Sequence, residues 1–197
     1  MINGWDVQQI GAATLRNKVV RLRRISMDDK GGYARIALNP EIWEYFVSRI
    51  ANESDLNAFM EQAINDSLVG TRIVFSIIEQ SSGRIAGSTA FGNLAPRERR
   101  LEIGWSWVGL EYRGTGVNRA TKHLLLDYAF GELACERVEF KTDVLNVRAR
   151  RALQGIGATE EGTLRSFNYM PGGRRRDAVY YSILKSEWPD VRDRYFS

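Results

Sequence analysis

The first third of the chain carries one alternating segment and one long helical segment. Apolar and basic residues alternate after Val20 within Val19–Ile25, which predicts a half-buried strand. Ser26 can cap a helix that follows, and Asp28 and Asp29 come next, where negative charge suits the positive N-terminal end of that helix. Between about Ser54 and Leu68 the apolar residues recur at helical spacing: Leu56, Phe59, Met60, Ala63, Ile64 and Leu68. Two helices are therefore expected after the first strand.

Three strands are predicted in the middle of the chain. Thr71–Gln80 is rich in Ile, Val and Phe, and the turn Ser81–Gly83 separates it from Arg84–Phe91. This pattern indicates a β-hairpin. A loop then leads to a third strand at Leu101–Val108. We expect an antiparallel meander.

The order of elements then changes to strand, helix, strand. A broad apolar stripe at helical spacing runs from Val117 to Leu133, and Arg137–Leu145 alternates as a strand does. Because such crossovers are right-handed and join parallel strands, Leu101–Val108 and Val138–Leu145 should lie parallel in one sheet. The sheet is predicted to be parallel only here.

The last quarter of the chain predicts a helix, a second hairpin and a closing helix. Asn146 is placed to cap a helix that Gly157 stops. The strands Glu161–Tyr169 and Asp177–Leu184 flank a Pro-Gly-Gly turn, and a short helix holding Trp188 follows.

Composition narrows the class of protein. The 197 residues are 44% hydrophobic, enough for one ordinary core, so we expect a single domain over 1–197. A net charge of +4 and a pI near 9.3 favour an anionic partner without indicating nucleic acid. The single cysteine, Cys135, excludes an internal disulfide and predicts a reducing, cytoplasmic location. Residues 1–11 lack the pattern of a secretory signal, and no apolar stretch approaches the roughly 20 residues of a membrane span. We expect a soluble protein without a membrane partner.

A glycine-rich turn at Arg113–Asn118, called here the glycine turn, joins the third meander strand to the next helix. Gly114 and Gly116 leave room for an anion beside the main chain, and the first amides of a helix point at such an anion. No Gly-Lys-Ser or Gly-Lys-Thr follows, so the turn is not a P-loop. Arg119 stands where a dinucleotide-binding fingerprint needs its third glycine, and a meander is not how a doubly wound sheet begins. The turn therefore predicts a phosphate site of another kind.

With its neighbours, the glycine turn resembles the acyl-CoA signature of the GCN5-related N-acetyltransferases, in the RimJ/RimL-like branch. That signature is Gln or Arg, two residues, Gly, one residue, then Gly or Ala. Arg113 and Gly116 match it, whereas Asn118 departs from it. Further matches are Glu102–Val108, Thr142–Asn146 and Gly155–Gly162, so the resemblance covers about 18–188 and leaves 1–17 as an N-terminal extension. It implies an α/β (α+β) fold with a mixed, mostly antiparallel sheet flanked by helices, and one parallel strand pair at the acyl-CoA site.

The resemblance implies acetyl-CoA as the cofactor and assigns residues to it. The backbone from Gly114 to Asn118 would bind the pyrophosphate, and the pantetheine arm would pair with main-chain groups near Trp107 and Val108, where the parallel strands part. Asn146 would contact the cofactor, cap its helix, or do both. The full implied set is Trp107, Val108, Arg113, Gly114, Thr115, Gly116, Val117, Asn118 and Asn146.

Acetyl transfer to an amine needs a group that removes a proton from an ammonium. The resemblance makes Glu102 the candidate base; the alternative is a salt-bridged strand residue near the arginines of Arg97–Arg100. Asp143 is a weaker candidate, expected on a solvated strand face. The positions where relatives carry a general acid hold Ala149 and Leu153. Another hydroxyl, such as Tyr112 or Tyr169, or solvent would then donate the proton.

The remaining candidates for chemistry are expected to be structural. His123 lies beside the apolar stripe of its helix, and Cys135 has no pattern that would activate it. No His, Cys and acidic cluster has metal-ligand spacing, so no metal is expected.

Two function classes remain. The first is an N-acetyltransferase that acts by direct attack in a ternary complex on a small-molecule or peptide N-terminal amine, with a homodimer common in this branch. The second is a non-catalytic module that binds RNA or the ribosome through three arginine clusters: Arg97–Arg100, Arg148–Arg151 and Arg174–Arg176. No aromatic and glycine pattern of an RNA-binding sheet accompanies these clusters, so nucleic acid is not the favoured partner. Among the tryptophans, Trp43 is the one that we expect to contact the acceptor substrate.

Overall fold

An eight-stranded sheet with helices on both faces forms the core of the computed structural model, which describes residues 5–197. The strands are β1 (Leu15–Arg16), β2 (Val20–Arg24), β3 (Arg72–Glu79), β4 (Ile85–Ala95), β5 (Arg100–Val108), β6 (Arg137–Asp143), β7 (Thr159–Tyr169) and β8 (Arg175–Leu184). The helices are α1 (Val7–Ala12), α2 (Lys30–Ala34), α3 (Glu53–Val69), α4 (Val117–Gly131), α5 (Val147–Gln154) and α6 (Trp188–Tyr195). Short 3-10 helices precede α2, α3 and α4.

The strands follow the order β1-β2-β3-β4-β5-β6-β8-β7, and every neighbouring pair is antiparallel except β5 and β6. The α4 crossover makes that one pair parallel, because it returns the chain to the same end of the sheet. The predicted fold class, a mixed and mostly antiparallel sheet with a single parallel pair, is confirmed.

The parallel pair is short. Only Arg100–Glu102 of β5 pairs with Arg137–Glu139 of β6, although both strands continue beyond those residues. Further along β5, Trp105 and Ser106 together oppose the single residue Thr89 of β4, and Trp105 has a φ of 50°. Such a β-bulge bends its strand and shifts the alternation of its side chains. The two parallel strands therefore part after Glu102 and leave a gap in the sheet.

Two hydrophobic clusters lie on the opposite faces of the sheet. One contains buried residues of α1, α4, α5 and α6, and the other contains buried residues of α2 and α3. Consecutive residues of β3 alternate between them, with Phe75 in the first cluster and Val74 in the second. α4 and α3 are thus held on opposite faces of the sheet.

Local signals explain where several elements begin. The side chain of Ser26 accepts from Asp28 N and forms a capping box with Asp29, which starts the helical segment as predicted. Asn52 caps α3 by accepting from Asp55 N. Strand β6 ends at Asp143, two residues before the predicted end, because Asp143 Oδ1 accepts from Leu145 N and turns the chain.

The N-terminal extension contains regular structure. Its residues Val7–Ala12 form α1 and Leu15–Arg16 form β1, and β1 pairs with β2 at the edge of the sheet. Residues 1–4 of the expected extension lie outside the described residues. Within the described part of the chain, no helix is both long and apolar enough to cross a membrane.

Candidate active site

A cavity of about 410 Å³ occupies the gap between β5 and β6, and we call it the strand-gap cavity. Glu102 lies at its closed end, where strand pairing stops. Its helix side is formed by residues from α4, α5 and the cap of α5: Asn118, Lys122, Asn146, Ala149, Ala152, Leu153 and Ile156. Its hairpin side is formed by the loop after Trp43, by β6, and by the β7–β8 hairpin: Tyr45, Phe46, Val47, Lys141, Phe167, Asn168 and Arg176.

The glycine turn reaches the helix side of the cavity at Asn118. Gly114 and Gly116 have φ values of 77° and 88°, and Gly116 is the N-cap of α4 without a side-chain hydrogen bond to the helix. The first amides of α4 are therefore not capped by the N-cap residue, which suits an anion. A Cβ on either glycine would meet nothing within 4 Å, so these positions require glycine for their backbone conformation rather than for space.

The other residues of the glycine turn contribute differently. Val117 is 2% exposed and packs in the core, so only its backbone faces the turn. Thr115 Oγ1 donates to Tyr112 O at 2.8 Å. Arg113 Nη1 lies 3.6 Å from Glu41 Oε2; partial burial and the nearby Arg148 lower the pKa of Arg113. Two guanidiniums therefore lie near each other at the edge of the turn.

Asn146 is both a helix cap and a wall of the cavity. Its Oδ1 accepts from Ala149 N at 3.0 Å, which caps α5. The oxygen is committed to the helix, while the NH₂ group of the same amide stays available as a donor. The two expected roles of Asn146 are geometrically compatible.

Trp107 and Val108 pair with Ser88 and Gly87 of β4, and beyond Glu102 no described strand pairs with the other edge of β5. That edge offers main-chain donors and acceptors to a ligand. The Trp107 side chain points elsewhere: its ring lies 5.0 Å from Trp43 and 5.6 Å from Tyr33 in the α2–α3 cluster. Only the main chain of Trp107 is in a position to meet a ligand in the gap.

Glu102 is 3% exposed and held by two donors. Asn93 Nδ2 donates to its Oε2 at 2.6 Å, and Lys141 Nζ lies 3.3 Å from the same oxygen. The arginine cluster expected to pair with it has other partners, since Arg100 pairs with Glu139 and Arg99 with Glu136. Glu102 is therefore a fixed carboxylate whose Oε1 has no donor among the described residues.

Lys122 was not recognised from the sequence. It is 5% exposed, lines the cavity one helical turn after Asn118, and donates from Nζ to Ser106 Oγ at 2.6 Å. Burial lowers its pKa from 10.5 to about 7, and the charge of Glu102 opposes that shift. The sequence does contain a signal for Lys122: it follows Asn118, the last position of the acyl-CoA signature, by four residues. Residues i and i+4 share one helix face, so Lys122 is expected on the same face as Asn118.

Three residues of the hairpin side were also missed as site residues. Lys141 Nζ lies between the rings of Phe167 and Tyr180, at 5.0 and 5.5 Å from their centroids. Arg176 is 7% exposed, although the sequence placed it in a basic cluster at a hairpin. Asn168 is its register partner on β7.

The other candidates lie outside the cavity or have no role in proton transfer. Asp143 is fully buried and paired with Arg174, so the expected solvated role is corrected to a buried one. Ala149 and Leu153 line the cavity but cannot donate a proton, and Tyr112 and Tyr169 do not line it. His123 stacks on Phe196, with ring centroids 4.8 Å apart.

Cys135 is fully buried, and burial raises the pKa of its thiol to about 12. A thiol with that pKa is not an activated nucleophile near neutral pH. Across residues 5–197, no group of three or more His, Cys, Asp and Glu side chains is arranged to hold a metal ion.

A second cavity of about 330 Å³ adjoins the first, and we call it the aromatic cavity. Phe46, Val47 and Trp105 line both cavities. Trp43 lines the aromatic cavity only, and its Nε1 donates to Ala37 O at 2.7 Å. A Cβ on Gly92 would lie 2.3 Å from Trp105 Cζ3, so the Trp105 ring rests against the main chain of β4.

Comparison with solved structures places this arrangement among acetyltransferases. A structure from T. thermophilus, provisionally described as an acetyltransferase, is 32% identical, with a TM-score of 0.84 over 92% of this chain and 94% of that chain. Mycobacterium smegmatis RimJ in complex with CoA-disulfide is 25% identical, with a TM-score of 0.74 over 90% of this chain and 88% of that chain. The fold and the site define an acetyltransferase.

The family model for the acetyltransferase (GNAT) domain matches residues 20–159, and the chain belongs to this family. YdaF of Bacillus subtilis (strain 168), provisionally named a ribosomal N-acetyltransferase, is 39% identical over 106 residues. That match covers 54% of this chain and 57% of YdaF, little more than half of the relative's length. The resemblance to this family and to its RimJ/RimL-like branch is confirmed.

Proposed function

We propose that this protein is an N-acetyltransferase that moves an acetyl group from acetyl-CoA to a primary amine by direct attack. The observation that carries the proposal is the strand-gap cavity itself. A buried carboxylate lies at its closed end, and the N-terminus of α4 lies beyond the carboxyl end of β5, on the side where the gap opens. An acyl donor and an amine can meet between these two features.

The residues of the helix side fit acetyl-CoA, which is the acyl donor of the GNAT family in general. The amides of the glycine turn would hold the pyrophosphate, and the free edge of β5 near Trp107 and Val108 would pair with the pantetheine amides. The NH₂ group of Asn146 and the guanidinium of Arg113 provide further donors. Acetyl-CoA bound here supplies an activated acyl group as a thioester.

Glu102 is the proposed general base. Asn93 and Lys141 hold its Oε2, so the carboxylate has one orientation and Oε1 can accept the proton of the incoming ammonium. Burial at the closed end of the gap keeps that carboxylate out of bulk water. The acceptor amine then reaches the cavity from the hairpin side, opposite α4.

Lys122 is the proposed proton donor, in the role that Ala149 and Leu153 cannot fill. Its Nζ is anchored by Ser106, and Ser106 Oγ lies 2.8 Å from Thr89 Oγ1. A pKa of about 7 gives Lys122 a proton that it can release near neutral pH. Because burial raises the pKa of Cys135, this thiol is not available for a covalent acyl-enzyme, which favours direct attack.

The acceptor is proposed to be a small-molecule or peptide N-terminal amine. The provisional name of YdaF, a ribosomal N-acetyltransferase, supports a protein amine as one member of this class. The alternative of a non-catalytic RNA-binding module is less favoured, because four of the nine arginines in the three clusters pair with carboxylates within the protein and Arg176 is buried. The four paired residues are Arg99, Arg100, Arg150 and Arg174.

Thermal shift and thiol release together test the proposal. We expect acetyl-CoA to raise the Tm, and a panel of primary amines to accelerate the release of free CoA thiol with formation of the acetylated amine, checked by mass spectrometry. Absence of any Tm shift with millimolar acetyl-CoA, together with a shift with RNA at moderate salt, would overturn it.

A further inference from the structure

Arg176 has an unusual environment for a charged side chain. It is 7% exposed, and its Nε is buried without a hydrogen-bond partner among the described residues. Its guanidinium makes no ion pair with a described carboxylate, and its nearest aromatic contact is the Phe167 ring, 5.9 Å away. A buried charge without hydrogen bonds is expensive, and it is retained where it binds something.

The nearest carboxylates are already committed to other groups. Asp143 accepts from Arg174 and from Leu145 N, and Glu102 Oε2 accepts from Asn93 and Lys141. Burial lowers the pKa of Arg176, and both carboxylates act on it only through their charge. The guanidinium therefore keeps its hydrogen-bond donors for a group that enters the cavity.

Asn168, the register partner of Arg176, carries a second unpartnered atom. Its Oδ1 is buried without a hydrogen-bond partner, while its Nδ2 donates to Tyr169 O at 2.7 Å. Both side chains line the strand-gap cavity. The β7–β8 hairpin thus presents a cationic donor set and a neutral acceptor next to each other.

The charge balance of the cavity points in the same direction. Its charged lining consists of one carboxylate, Glu102, two cationic residues, Lys141 and Arg176, and Lys122, which is only partly charged near neutral pH because its pKa is about 7. A plain ammonium meets more positive than negative charge here. An acceptor that also carries an oxyanion offsets this imbalance and can form a charge-assisted, bidentate pair with Arg176.

We propose that Arg176 and Asn168 form a binding subsite for an oxyanion, a carboxylate or a phosphate, carried by the same small molecule as the acceptor amine. Arg176 binds the oxyanion, and Asn168 Oδ1 accepts an N–H or O–H of the same molecule. The subsite places the amine beside Glu102. This proposal rests on the acetyl transfer proposed above and specifies its acceptor class.

Three matched acceptors test the subsite in the wild-type protein: γ-aminobutyrate, aminopropylphosphonate and butylamine. They share a short alkyl amine and differ in the carboxylate, the phosphonate or the absence of an anion. We expect kcat/KM for one or both acidic amines to exceed that for butylamine about ten- to a hundredfold, as for a charge-assisted hydrogen bond. The stronger of the two acidic amines identifies the oxyanion.

Variants then assign the effect to Arg176. Arg176→Gln should raise KM for the acidic amines about ten- to a hundredfold and change kcat/KM for butylamine by a much smaller factor. Arg176→Lys should restore part of the binding, because it keeps the charge without the bidentate fork. Arg175→Gln is the matched control, since Arg175 is exposed on the same strand and does not line the cavity.

Each result decides between the two proposals. Equal kcat/KM values for butylamine and the acidic amines would overturn the subsite and leave acetyl transfer standing. Thermal stabilisation by an acidic amine that Arg176→Gln abolishes, without thiol release from any amine, would support the subsite and overturn acetyl transfer. If none of the three molecules reacts and none stabilises the protein, or if Arg176→Gln weakens all three equally, the subsite is wrong.

Discussion

The helix side and the hairpin side of the strand-gap cavity are built in different ways. The helix side comes from two continuous stretches of chain: one in which β5, the glycine turn and α4 follow each other directly, and one that runs from the cap of α5 at Asn146 to Ile156. The hairpin side combines the loop at Tyr45–Val47, strand β6 at residues 140–142, and three hairpin residues, Phe167, Asn168 and Arg176. If the proposed function is correct, acetyl-CoA binding depends mainly on local backbone geometry, whereas acceptor binding depends on side chains from distant segments.

Glu102 lies at the closed end of the cavity, which both sides share, and its substitution should have the largest effect on activity. Glu102→Gln removes the proposed base without changing side-chain volume, so kcat should fall about 10²- to 10⁴-fold, the usual contribution of a general base. The affinity for acetyl-CoA, measured by calorimetry, should stay the same.

Glu139→Gln is the control for Glu102→Gln. Glu139 is the register partner of Glu102 on β6 and pairs with Arg137, but it does not line the cavity. The Glu139→Gln variant should keep the activity of the wild type. An unchanged kcat in Glu102→Gln would remove this residue from the mechanism.

Lys122→Met tests whether the helix side contributes chemistry as well as binding. The variant should lower kcat about tenfold to a hundredfold and abolish the fall in rate above pH 7 that loss of a proton from Lys122 causes. The measurement is the pH profile of kcat from about pH 6 to 10. A profile with an unchanged alkaline limb would contradict the proton-donor role.

The same variant should gain stability. Because burial lowers the pKa of Lys122 from 10.5 to about 7, the unfolded chain binds this proton more tightly than the folded chain between those pH values. The free energy of unfolding of the wild type therefore rises with pH across that window. Lys122→Met should be more stable by about 1–4 kcal/mol at pH 7, and the gain should shrink toward pH 10 in urea titrations.

Gly116→Ala tests the local construction of the helix side. A φ of 88° strains any residue with a Cβ by about 1–2 kcal/mol, so both the stability and the acetyl-CoA affinity should fall by amounts of that order. Selectivity among amines should not change. Gly131→Ala, near the end of α4 with nothing within 4 Å of its Cβ, should be neutral or slightly stabilising. Loss of amine selectivity in Gly116→Ala would show that the two sides are not independent.

Asn118→Ala should have the smallest effect. Asn118 stands where the acyl-CoA signature has Gly or Ala. Because those residues have no functional side chain, this position is expected to contribute to donor binding through its backbone. We expect KM for acetyl-CoA to change by about twofold or less, equivalent to about 0.5 kcal/mol. A tenfold change would give the Asn118 side chain a direct part in donor binding.

The sequence predicted the helix side better than the hairpin side, because the helix side is built from local sequence patterns and the hairpin side from distant segments. Gly116 and Asn146 follow from turn and cap chemistry within a few residues, and both lie where that chemistry requires. Lys122 was hidden by the apolar stripe of α4, although it shares a face with Asn118. Arg176 was assigned to a basic cluster because no local pattern shows that a hairpin residue turns inward.

The β-bulge in β5 determines a feature that the sequence analysis did not address, the face of the sheet on which the Trp107 ring lies. Leu101 and Ile103 face the α4 cluster, and strict alternation would put Trp107 on the same face. The extra residue at Trp105–Ser106 reverses the alternation, so the Trp107 ring packs against α2 and α3 instead. A bulge is set by pairing across strands and leaves little trace in the sequence of one strand.

Trp105 is one of three residues, with Phe46 and Val47, that lie between the strand-gap cavity and the aromatic cavity. We expect a small residue in place of Trp105 to widen the connection between the cavities and to enlarge the space open to the proposed acceptor, without touching Glu102 or the glycine turn. Acceptor range can then broaden in one mutational step while the donor site stays constant. Position 105 is therefore a place where a new acceptor specificity can evolve independently of the donor site.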